Sequence, residues 1–133
     1  MTIIEPEDAY RRLAAVSQLL AEVWESQEEE WKNDGGVPPT VLMAKFAHAI
    51  SRSVESISSQ DLTAIFAELE YLLVEGGQRM GDIVATGFFE AMLGDAARGR
   101  LELELVKPYL GTESVEYCIA WDSKTFLGMQ ADN

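Results

Sequence analysis

The sequence has one cysteine, one histidine and only ten basic residues among its 133. Cys118 alone supplies neither an internal disulfide framework nor a multi-cysteine zinc site. His48 is the only histidine, so the paired Glu-x-x-His units of a di-iron bundle are absent. Any Ser-His-Asp or Cys-His constellation would have to use His48, and no acidic residue lies near it in sequence. Ten Lys and Arg against 23 Asp and Glu leave a net charge of −13. A nucleic-acid backbone needs clustered cations, so no nucleic acid is expected as a partner. No apolar run approaches the ~18–20 residues that cross a bilayer, and the scattered basic residues form no amphipathic anchor. No membrane partner is therefore expected. The start, Met1-Thr2-Ile3-Ile4-Glu5, lacks the basic opening and apolar stretch of a secretory leader. With a lone unpaired thiol, it reads as a cytoplasmic protein.

What is present is helical periodicity. The length and 47% hydrophobic content suit a single domain over 1–133 that folds around its own core. Tyr10, Leu13, Leu20, Trp24 and Trp31 lie on one stripe, which fits one helix over about 6–32 or two broken near Ser17. Asn33-Asp34-Gly35-Gly36-Val37-Pro38-Pro39 is the clearest break. Leu42, Phe46, Ala49 and Ile50 predict a second helical face. Ser58 and Asp61 have capping-box spacing before the run Leu62, Ile65, Phe66, Leu69, Leu72 and Leu73. Gly76-Gly77 should stop that helix, with roughly four residues before a short one carrying Ile83, Val84, Phe88 and Met92. Gly87 falls on its apolar face, where a missing side chain would admit a close neighbour, and Gly94 is expected to end it. Residues 100–106 alternate like a strand, but their Leu and Glu content and the want of a strand partner favour helix. A last helix over about 112–127 should bury Val115, Cys118, Ile119 and Phe126. The expected fold is all-α, an irregular bundle of five to seven helices with antiparallel helical hairpins.

Two stretches carry a resemblance: Val84-Ala85-Thr86-Gly87-Phe88-Phe89-Glu90-Ala91-Met92-Leu93, and Tyr109-Leu110-Gly111-Thr112-Glu113-Ser114 followed by Tyr117-Cys118 and Trp121-Asp122. Together they resemble a group of uncharacterised small bacterial all-helical proteins. The resemblance implies an all-α fold without an enzymatic motif. By analogy of type, it also implies an immunity protein, one that neutralises a cognate bacterial toxin.

Few residues offer chemistry. His48 reads as a hydrogen-bonded or partly exposed helix histidine, and Cys118 as a small buried hydrophobe. Gly76-Gly77-Gln78-Arg79-Met80-Gly81 lacks the Gly-Lys-Ser/Thr ending of a phosphate loop. Glu90 interrupts an apolar run and should be paired with a donor such as Arg79, Arg98 or Trp121. No catalytic residue, cofactor or metal is expected.

The remaining signal is acidic. Glu22, Glu25 and Glu29 share a helical face, Glu28 and Glu30 thicken it, and Asp34 follows. A charge run of this kind usually just sits in water. As a binding face it would steer a basic protein partner, possibly a cognate toxin, with Trp31 as aromatic anchor. The leading expectation is a non-enzymatic inhibitor that acts through these residues. The alternative is a homo-oligomeric structural or regulatory protein, a homodimer being one form, whose acidity serves solubility.

Overall fold

Ser17 divides the first helical stretch. Its backbone is extended (φ −151°, ψ 115°), and its Oγ accepts the Leu20 N–H at 3.2 Å, so one residue ends α1 (Pro6–Val16) and caps α2 (Gln18–Trp31). The computed structural model describes residues 3–128. Met1, Thr2 and residues 129–133, which the expected domain over 1–133 includes, lie outside the described residues.

Pro39 opens α3 (Pro39–Ser53), where its fixed φ suits a first turn and its missing N–H costs nothing. A 3-10 turn (Val54–Ser56) follows, then α4 (Ser59–Glu75). Ser58 Oγ accepts the Asp61 N–H at 3.1 Å, the cap that the spacing of those two residues predicts. Gly76 and Gly77 join α4 to the next helix, a two-residue connection where about four were expected. One continuous helical run then comprises α5 (Gln78–Ile83), a π-helical segment (Val84–Phe89) and α6 (Glu90–Ala97). Gly94 does not end it; the helix passes through that residue and stops at Arg98–Gly99.

Residues 100–106 are neither the favoured α-helix nor a strand. Leu103–Leu105 and Lys107–Tyr109 form two 3-10 turns, closed by Leu105 N–H to Glu102 C=O and Val106 N–H to Leu103 C=O, each 3.0 Å. Leu101, Leu103 and Val106 are buried and Leu105 is exposed, a spacing that no α-helical stripe reproduces. Pro108 then denies the backbone donor that a longer helix would need. The last helix, α7 (Thr112–Leu127), buries Ser114, Cys118 and Phe126. Ile119, expected inside, is 38% exposed, because it stands about 100° around the helix from Cys118. Seven α-helices and no strand among the described residues make the fold all-α, as expected.

The core is centred where α3 meets the π segment. An i→i+5 turn is wider than an α turn and rotates less per residue, so the adjacent Phe88 and Phe89 both reach the interior. Their rings stack edge to face at 5.2 Å, and Phe88 meets Phe66 of α4 at 5.9 Å. On the other side Tyr10 of α1 contacts Phe46 of α3 and Trp24 of α2, at 6.4 and 5.8 Å. Gly87 permits the close approach that its position suggests. A Cβ there would lie 2.8 Å from Met43 Cβ and 3.0 Å from the Thr40 carbonyl oxygen. Backbone as well as side chain would have to move, so Gly87→Ala should cost about 1–3 kcal/mol. Thermal unfolding followed by circular dichroism would show this as a lowered Tm. The exposed Ser26→Ala should stay within about 0.5 kcal/mol of the parent.

Candidate functional site

Helix α2 turns its acidic residues outward. Glu22, Glu25, Glu28, Glu29 and Glu30 are all exposed, as is Asp34 beyond the helix end. Glu22, Glu25, Glu28 and Glu29 line a shallow, open concavity together with Ser26 and Lys32. Within it Lys32 Nζ meets Glu29 at 2.6 Å, and Gln18 donates weakly to Glu22 at 3.4 Å. Glu30, Trp31 and Asp34 do not line that concavity, so the sequence cluster divides into one shared face and three residues beside it. Trp31 is half-buried. Its Nε1–H is shielded from solvent and has no hydrogen-bond partner, and the same holds for Oε1 of buried Gln27 one turn earlier. The ring of Trp31 is thus partly committed to the interior side of the helix.

Three contacts across the chain were not visible in local sequence. His48 Nδ1 lies 2.7 Å from Oδ2 of Asp95, which is 2% exposed. The tautomer that donates this bond carries its proton on Nδ1 and leaves Nε2 as the free ring nitrogen. No serine, threonine or cysteine bonds that nitrogen among the described residues, and Ser51 instead donates to the Ala47 carbonyl at 3.0 Å. The pair therefore orients a ring and satisfies a buried carboxylate without completing a nucleophilic triad. Cys118 is fully buried, and burial pushes its thiol up to about 12, so it stays protonated and unreactive at neutral pH.

Glu90 is paired, but not with the expected Arg79, Arg98 or Trp121. Its carboxylate accepts the Tyr117 phenol at 2.6 Å. α6 packs on α7, which brings the phenol into reach. Burial, that hydrogen bond and the Glu90 charge all raise the phenol well above its ordinary range, keeping it a donor.

The third contact fixes the start of α7. Glu70 of α4 accepts the backbone N–H groups of Glu113 and Ser114, at 3.0 and 2.9 Å, and the Ser114 hydroxyl at 2.7 Å. A helix N-terminus lacks partners for its first N–H groups and carries partial positive charge, so a carboxylate delivered by a neighbouring helix suits it. Gly111, without a side chain, leaves room for that carboxyl. Among the described residues no group of three His, Cys, Asp or Glu side chains converges as a metal site would require. No described helix is long and apolar enough to cross a membrane.

The geometry defines an all-helical domain whose internal carboxylates are hydrogen-bonded and whose α2 carboxylates face outward. The chain belongs to the family described as a domain of unknown function (DUF7674), whose model matches residues 11–127. No curated protein and no solved structure matches it significantly.

The Glu70 clamp has a pH signature. Burial alone would raise its pKa, but the Ser114 hydroxyl and the two backbone donors outweigh burial and hold it below the ordinary carboxylate value. A depressed folded-state pKa gives stability that is fully present above the unfolded value and lost as pH falls through the folded one. Glu70→Gln should therefore lose about 1 kcal/mol at pH 7. Its stability should also fall less than the parent's on acidification through the carboxylate range. Urea titrations at several pH values would check both.

Proposed function

We propose that the domain is a non-enzymatic protein-binding module that engages a basic protein partner through the acidic side of α2. The observation that carries this reading is the shared exposed face of Glu22, Glu25, Glu28 and Glu29, with Lys32 as the one cation lining it. Carboxylates held together on a rigid helix produce a field that reaches about 10 Å at moderate salt, enough to steer and orient a cationic surface. Glu30, Trp31 and Asp34 would widen the contact at the end of the helix.

The most concrete form is an immunity-type inhibitor in the bacterial cytoplasm. Its carboxylates would stand in for phosphates against a nuclease-like toxin, or cover the toxin's catalytic cations. Inhibition would come from occlusion, and this chain would make or break no bond. The net charge of −13 and the hydrogen-bonded state of Glu70, Glu90 and Asp95 support the reading, because they leave the outward carboxylates as the charge on offer.

Affinity capture from the native cytosol, with mass spectrometry of the retained proteins, should recover a basic protein that elutes with salt. The double variant Glu25→Lys/Glu29→Lys should keep its Tm while slowing association with that protein about tenfold or more at low salt. Recovery of only a small metabolite would overturn the reading. A stable homodimer across a dilution series, with no captured protein, would turn it to the homo-oligomeric alternative.

A further inference from the structure

A second surface lies on other elements. Tyr71, Leu73 and Val74 of α4, Gly81 of α5, Ala85 of the π segment and Tyr117 of α7 line an open groove of about 720 Å³. Its wall is mostly apolar, yet Val74 is 49% and Tyr71 39% exposed, and Trp121, one turn beyond Tyr117, is 55% exposed. Large apolar side chains left in water beside a concavity mark a place where another surface is buried.

The groove is held in shape. Tyr117 is fixed by Glu90, and the first turn of α7 is pinned by Glu70. Arg12 covers one face of Tyr71 at 4.5 Å while pairing with Glu68 at 2.8 Å. A Cβ on Gly81 would lie 3.1 Å from the Leu73 carbonyl oxygen, so helices α4 and α5 run close together along the floor.

Its charge selects the occupant. Glu75 and Asp82 line the groove, and neither has a Lys or Arg within 4.0 Å among the described residues. No cation lines it. A second copy of this chain would bring one net charge of −13 against another, which disfavours self-association through this face. Nor is there a strand edge among the described residues for an extended peptide to pair with. A segment that enters must satisfy its own backbone, as a helix does.

We infer that this groove binds an amphipathic helix of a partner protein, its apolar side against Tyr71, Val74 and Tyr117 and its Lys or Arg side chains against Glu75 and Asp82. The surface is separate from α2, so it stands or falls independently of the acidic-face reading.

The probe is a synthetic Leu/Lys amphipathic helix, compared with a Leu/Glu counterpart and a scrambled Leu/Lys peptide of the same composition. The Leu/Lys helix should bind the full chain saturably and shift the amides of Tyr71, Val74, Gln78, Asp82 and Tyr117. Val74→Lys should weaken it about tenfold or more, and Asp82→Asn less, with Tm checked for both. Glu25→Lys/Glu29→Lys should leave the affinity within about twofold, since those residues lie on another surface. Shifts confined to α2, with affinity lost in the α2 variant alone, would overturn the groove and leave the acidic-face reading standing. Equal binding of the Leu/Glu or the scrambled peptide would overturn it as well.

Discussion

The absence of one side chain governs the packing of this fold. At Gly87 the helix backbone comes within van der Waals reach of Thr40 and Met43, which brings α3 onto the π segment and closes the space around Phe46, Phe88 and Phe89. Protein interiors are packed as densely as organic crystals, so spacing set at one crossing is transmitted to its neighbours. Phe88 meets Phe66 on one flank, and Phe46 meets Tyr10 on the other, so α1 and α4 both take their positions from this centre.

Around that core the carboxylates divide by environment. Asp95, Glu70 and Glu90 lie wholly or partly inside, and each accepts hydrogen bonds from a helix other than its own. A buried carboxylate is costly unless bonded, so each of these contacts also fixes where one helix meets another. The α2 carboxylates have no such work. They stand in solvent with a single lysine among them, and mutual repulsion there is relieved by water and counter-ions or by a cationic partner. One residue type thus serves as internal fastener and as external field, and the neighbouring donors decide which.

The features legible in the sequence are those whose cause is local. Ser58 and Asp61 announce a cap through their spacing, the paired prolines mark the start of α3, and Gly87 stands out on an apolar stripe. Features that depend on distant partners were not legible. Asp95 is 47 residues from His48, Glu70 is 43 from Glu113, and the donor that Glu90 finds is a tyrosine 27 residues on. The stretch at 100–106 misleads for a different reason. Alternating Leu and Glu fit strand and helix alike by composition, and the outcome was decided by Pro108 and by which leucines the core could accept. Of the acidic cluster, exposure was legible. Its division into a shared face and the outlying Glu30, Trp31 and Asp34 became visible only with the helix in place.

The π segment also makes this part of the chain sensitive to length. Such a segment is an α-helix holding one residue more than regular winding accommodates. Deleting a single residue between Val84 and Phe89 would relax it to ordinary winding and swing everything after it by about 100°. Glu90 would be carried off Tyr117, and Asp95 off His48, while the helix itself remained intact. Exposed connectors such as 33–36 can gain or lose residues without rephasing the core. A one-residue gap within the π segment of another family member would instead mark a reorganised α6–α7 contact.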